Sequence, residues 1–208
     1  MAGCLRTPLV NEFLESFRSW WAGVSYVELV AVITGAWCVW LYGRENIWAW
    51  PVGIVNVVCY LYVFYLAQLY SDVVLQAVFL VLSIIGWYQW LHGGPQKQQL
   101  KITEQLPLRE GLALIAAAEA VALGAAFFFS AYTEAALPYW DATILGYSLL
   151  AQWLLNKKVL GNWLFWIAID VLAIVVYGVR GLYPTAFLYC IFLFLALRGY
   201  LSWRATLA

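Results

Sequence analysis

Long apolar runs alternate with short polar breaks along the chain, at about residues 25–43, 47–69, 72–91, 109–131, 138–156, 161–179 and 182–202. Crossing roughly 30 Å of hydrocarbon takes about 20 mostly apolar helical residues, so the pattern predicts seven transmembrane helices. Their connections are tight turns except for one stretch, HGGPQKQQLKITEQLP, whose glycines, proline and glutamines cannot continue a span. Ahead of the first run, LRTPLVNEFLESFRSWW mixes Glu12, Glu15 and Arg18 with apolar residues. It predicts an amphipathic helix at the membrane interface and lacks the apolar centre of a cleavable signal. The expected organisation is an interfacial segment (1–24), three helices (25–91), a polar cytoplasmic loop (92–107), a linker helix (108–133) and three further helices with the C-terminus (134–208).

Composition supports the membrane reading and removes other classes. Charged residues make up 11% of the 208 and hydrophobic residues 65%, with a mean hydropathy of +0.82, whereas soluble domains are about a quarter charged. Formal net charge is zero, so no basic field points to nucleic acid. Cys4, Cys38, Cys59 and Cys190 are scattered and the single histidine, His92, sits in the polar loop, so neither a disulfide frame nor a metal site is expected. No nucleophile, base and orienting group share a face, which disfavours a membrane-embedded enzyme. No lysine lies between Gly181 and Leu201 for a retinal Schiff base. Lysine and arginine divide eight to three between the two sides, Lys157, Lys158 and Arg204 against Arg18 and Arg180 among them. That bias predicts a cytoplasmic C-terminus.

The chain also resembles itself. A shift of 116 residues lays Trp37 on Trp153, Asn46 on Asn162 and Trp50 on Trp166; after a short gap, a shift of 113 lays Gly86 on Gly199 and Trp90 on Trp203. Helices 1–3 and 5–7 read as two copies of one unit. An odd-numbered unit ends opposite to where it began, so the fourth helix restores the direction and the copies run parallel. Small transporters use such repeats with a site between them near mid-membrane.

Polar residues inside the spans fall on faces. At 100° per residue, Asn162, Trp166, Asp170 and Tyr177 lie within about 80° of one another, and Asn46, Trp50, Gly53 and Tyr60 share a face with Asn56 at its edge. Ser148 and Gln152 join Asp141 on the fifth span, and Gln76 joins Asp72 and Ser83 on the third. Unpaired amides and carboxylates in hydrocarbon cost several kcal/mol, so these groups are expected to face the bundle interior, either lining a polar path or gluing helices together. Trp20, Trp21, Trp48, Trp90 and Trp203 read as an interfacial belt; Trp50 and Trp166, one turn further in, stay open between belt and site. Asp170 is open among substrate acceptor, proton-coupling group and neutral structural carboxylate. Glu119, on the linker helix, suits a structural or subunit contact. Pro51 and Gly53 are either a hinge or a proline tolerated in a first turn.

The blocks NIWAWPVGIVNVVCY, LYSDVVLQAVFLVLSIIGWYQW, YWDATILGYSLLAQWLLNKKVLGNWLFWIAIDVLAIVVY and LYPTAFLYCIFLFLALRGYLSW resemble the PnuC family of bacterial vitamin transporters, which is related in fold to the SWEET transporters. The resemblance implies an all-α membrane protein with a 3+1+3 helix arrangement, a homotrimer, and facilitated diffusion of nicotinamide riboside across the inner membrane. A cytoplasmic kinase would trap the substrate by phosphorylation, with no cofactor. Relatives carry thiamine or riboflavin, and thiamine, another cationic aromatic vitamin, is the alternative substrate. The family's amide and aromatic positions fall on Asn46, Trp50, Gln76, Asn162, Trp166 and Asp170. The chemistry agrees with the implied substrate. An indole can attract the pyridinium ring by about 0.5–2 kcal/mol, the amides can bond ribose and carboxamide, and no lysine or arginine within the spans is offered to a phosphate.

Overall fold

Among the residues described in a computed structural model (8–66, 70–95, 98–104, 106–132 and 137–207), eight α-helices account for nearly all regular structure. They are α1 (Pro8–Gly23), α2 (Tyr26–Gly43), α3 (Ala49–Leu66), α4 (Tyr70–His92), α5 (Leu108–Tyr132), α6 (Pro138–Asn156), α7 (Asn162–Val179) and α8 (Tyr183–Leu207). Local chemistry sets several of the starts. Ser25 accepts the Glu28 backbone N–H at 3.1 Å to cap α2. Pro138 opens α6 at a position where a missing N–H costs nothing. Pro51 stands in the first turn of α3, so the tolerated-proline reading describes its place and no break in α3 accompanies it.

Six of these helices, α2 to α5, α7 and α8, are long and apolar enough to cross a membrane, against the seven expected. The difference is α6, whose 19 residues include Asp141, Ser148, Gln152 and Asn156 and bury nine positions, the most of any helix among the described residues. Those polar residues lower its average apolarity below that of its neighbours, and three of them, Ser148, Gln152 and Asn156, are buried. It packs against α4, α5 and α7, while α2 packs on α3 and α8, and α3 on α4. The helix α1 lies on α8 through Phe13 against Tyr183 and Phe17 against Phe187, with ring centroids 5.9 and 5.7 Å apart.

Features 113 residues apart recur in pairs. Glu45 and Lys158, so spaced, are the non-glycine residues with positive φ among those described, at 53° and 52°. Each turns the chain between two antiparallel helices with the same bonds. Glu45 N–H reaches Tyr42 O and Lys158 N–H reaches Leu155 O, both at 3.0 Å; Asn46 N–H reaches Leu41 O and Val159 N–H reaches Leu154 O, again both at 3.0 Å. The indoles then cross over. Trp90 donates to Leu155 O at 3.0 Å and Trp203 donates to Tyr42 O at 3.0 Å. A Cβ on Gly86 would run into the Trp50 ring, and one on Gly199 would stand 2.6 Å from the Trp163 ring.

These pairs correct the register read from the sequence. Trp50 corresponds to Trp163, not Trp166, and Asn46 corresponds to Val159, not Asn162. The two turns have equal length, so no gap is needed. Trp163 and Trp166 are one helical turn apart, and matching letters favoured the wrong one. The belt expectation also fails for Trp90 and Trp203, which are 2% and 0% exposed. With Tyr42, Trp50 and Trp163 they form a chain of mostly edge-to-face rings 5.0 to 6.0 Å apart, a favoured aromatic geometry. Trp21 and Trp48, by contrast, are exposed. This aromatic cluster closes the end of the bundle where α2, α4, α6 and α8 finish. Leu100 and Ile102 pack onto it from the loop. That loop is pinned by Thr103 N–H to Lys158 O at 3.0 Å and Leu160 N–H to Thr103 O at 2.9 Å.

Candidate functional site

Beyond the aromatic closure the interior turns polar, chiefly on α6 and α7. Asp170 stands mid-way along α7 and is 3% exposed. One face of α7 also carries Tyr177, whose ring stacks on Tyr189 of α8 at 5.4 Å and 15°. Tyr189 meets Phe192 edge-on at 5.8 Å. Tyr60, on α3, in turn stacks on Phe64 at 5.5 Å. One sequence-predicted residue, Tyr177, thus pairs with Tyr189, which the sequence reading missed, and Asp170 lies two turns before Tyr177 on α7. The register explains the omission. With a uniform spacing of 113, Tyr189 is the counterpart of Gln76, itself one of the predicted residues.

A second polar group runs along α6. Ser148 and Gln152 are buried, Gln152 Nε2 donates to Asn156 Oδ1 at 3.2 Å, and Asn156 Nδ2 donates to Leu82 O on α4 at 2.8 Å. Asn156 was also missed, because it ends a span and reads as a turn residue. At the start of α7, Asn162 is fully buried; its Nδ2 donates to Val159 O at 2.7 Å, while its Oδ1 has no protein partner. Trp166 is half-buried against the aromatic cluster, and Gln76 is half-buried on α4. Asn56 Nδ2 donates to Ala31 O on α2 at 2.5 Å, a helix-to-helix bond of the gluing kind.

Two predicted residues stand apart from these groups. Asn46 is exposed in the turn before α3, where its Oδ1 accepts the Trp48 N–H at 2.9 Å, the task of a helix-start cap. Trp50 is 0% exposed inside the aromatic cluster, and its Nε1 has no partner. The buried Lys158 and the half-buried Arg180 each hold a carboxylate. Lys158 Nζ holds Glu45 Oε2 at 3.0 Å, and Arg180 holds Asp141 Oδ2 at 2.6 Å at the opposite end of α7. Glu119 lies on the exposed side of α5 and accepts the Tyr147 hydroxyl at 2.9 Å. Among the described residues no group of three His, Cys, Asp or Glu could hold a metal ion.

Phenol rings and a buried carboxylate on one helix suit a cationic aromatic group, since both the ring faces and the acid attract positive charge. The amides on α6 and α7 both donate and accept, which suits hydroxyls and a carboxamide.

Comparison with known proteins gives the same direction. Residues 25–205 match the family described as nicotinamide mononucleotide transporter. The nicotinamide riboside transporter PnuC of Escherichia coli (strain K12) is 29% identical over 205 residues, covering 86% of this chain and 85% of that protein. The riboflavin/roseoflavin transporter RibM of Streptomyces davaonensis is 26% identical over 191 residues, covering 91% and 89%. The crystal structure of the vitamin B3 transporter PnuC superposes with a TM-score of 0.69 over 95% of this chain and 88% of that one at 23% identity, which establishes a shared fold.

Proposed function

The chain belongs to the nicotinamide mononucleotide transporter family and is a membrane transporter, not an enzyme; from that premise we propose that it carries nicotinamide riboside across the bacterial inner membrane by facilitated diffusion. The observation that carries this reading is the buried Asp170 on the same helix as Tyr177, whose ring stacks on Tyr189. Riboside is preferred to the mononucleotide because Lys158 and Arg180 are both engaged by carboxylates, leaving a phosphate to compete with them.

In this reading α2–α4 and α6–α8 are parallel three-helix repeats, α5 is the linker, and α6 is the seventh crossing, its polar face shielded from lipid by its neighbours. Alternating access exposes the interior first at one end and then at the other. The basic end, with Arg44, Lys157 and Arg204, faces the cytoplasm together with the C-terminus, and a kinase there traps the product by phosphorylation. Substrate contacts are assigned to Asp170, Tyr60, Tyr177, Gln76, Trp166, Asn162, Ser148 and Gln152. Glu119, exposed mid-way along α5, would face lipid in a monomer at a cost of several kcal/mol, which supports a homotrimer that covers it.

A second reading comes from the RibM likeness and from the chemistry of thiamine, which is also a cationic aromatic. Binding to purified protein in detergent, followed by tryptophan fluorescence, separates the substrates. Saturable quenching by nicotinamide riboside, lost in Trp166→Ala, supports the proposal; quenching by thiamine or riboflavin alone transfers the protein to that substrate and refutes it.

A further inference from the structure

Lys158 is a lysine with a side chain 8% exposed, beside Glu45 at 29%. Charges so placed persist only when paired, and losing one partner strands the other. Three groups hold Lys158 at once. Glu45 Oε2 accepts from Nζ at 3.0 Å, the Trp90 ring lies 4.4 Å beneath Nζ, and the Lys158 carbonyl accepts the Thr103 N–H at 3.0 Å. The two residues are counterparts across the spacing of 113 and sit at the apices of the two equivalent turns, each in the left-handed backbone region. They meet where the turn of one three-helix set touches the turn of the other. Among the described residues this is the ion pair that joins the two sets, for Arg180 and Asp141 both belong to the second.

We propose that the Glu45–Lys158 pair is a latch that holds the aromatic end of the bundle shut and must part each time that end opens. Separating the α2–α3 turn from the α6–α7 turn breaks the pair first. It then releases the crossed indole bonds, Trp90 to Leu155 O and Trp203 to Tyr42 O. It also frees the segment around Thr103 that rides on Lys158. The proposal rests on the alternating-access reading, but its test needs no substrate.

Cys38 supplies the reporter. It is 8% exposed and belongs to the same core cluster as Trp50 and Trp90, so it is reached from that end only when the rings part. With Cys4, Cys59 and Cys190 replaced by alanine, the rate of Cys38 modification by a small methanethiosulfonate is measured in proteoliposomes. Glu45→Gln and Lys158→Met are each expected to raise the rate roughly tenfold, and the exchange of both charges, Glu45→Lys with Lys158→Glu, to bring it back near wild type. Glu45→Asp keeps the charge but shortens the reach, and its intermediate rate serves if a neutral variant does not fold. Wild-type rates in the single variants, or an exchanged pair that reacts as fast as the faster single variant, would overturn the latch while leaving the transport reading intact.

Discussion

The helices α2–α4 and α6–α8 share a skeleton and differ in what it carries. At packing positions the counterparts are the same residue: Trp50 and Trp163, Gly86 and Gly199, Trp90 and Trp203. Their contacts match as well, a ring filling the space over a glycine and an indole bonding a carbonyl of the other set. At polar positions the counterparts part company. Asp170 stands against Val57, Gln152 against Val39, Asn156 against Gly43, Ser148 against Gly35 and Tyr177 against Phe64. Close packing tolerates little change in shape, which keeps the skeleton alike. A substrate without two-fold symmetry gives no reason for both sets to present the same groups, and the second set holds most of the polar ones.

The largest effect expected from breaking the skeleton is at its glycines. Gly86→Ala and Gly199→Ala each drive a methyl into an indole, and each is expected to cost about 3 kcal/mol or more. Thermal unfolding in detergent should show both variants severely destabilised, and a normal melting temperature for either would break the equivalence. Asp170→Val gives α7 the residue α3 has at the matching place. It is expected to leave melting unchanged or higher, because a buried carboxylate is replaced by an apolar group. A steep fall would make Asp170 part of the skeleton.

Smaller effects sharpen the same contrast. Trp90→Phe and Trp203→Phe each remove one indole-to-carbonyl bond and should each lose about 1–2 kcal/mol, by equal amounts if the crossed arrangement is symmetric; unequal losses in denaturant or heat would show that it is not. Asn46→Ala removes a helix cap outside the polar interior, for an expected loss of about 0.5–1 kcal/mol with riboside uptake nearly unchanged. A large rise in the apparent KM for uptake would instead return Asn46 to the substrate.

Much of the skeleton was legible in the sequence because apolar length and turn residues are local signals. The helix Pro138–Asn156 lies where its hydrophobic run placed it, and the recurrence of Gly and Trp was visible. Half of the register was not. The residues that fix it, Glu45 and Lys158, share a backbone conformation and no chemistry, so comparison of letters passed over them. Periodicity placed Asp170, Trp166 and Tyr177 on one face, and they are found on α7 together with buried Asn162. It could not separate Trp50, filling the core, from Trp166 at its edge, since both are tryptophans one turn inside a helix. Nor could it find Tyr189, which meets Tyr177 through ring stacking between α7 and α8.

Selection of a cationic nucleoside by the polar interior of the second set has a direct readout. It is tested most directly by exchange of labelled nicotinamide riboside in proteoliposomes, competed in turn by unlabelled riboside, the mononucleotide and riboflavin, for wild type and Asp170→Val. Saturable exchange in wild type inhibited by the riboside alone is expected, with at least about a tenfold loss of kcat/KM in the variant, equal to 1.4 kcal/mol. Full exchange by Asp170→Val, or inhibition of wild type by the mononucleotide as strongly as by the riboside, would contradict it.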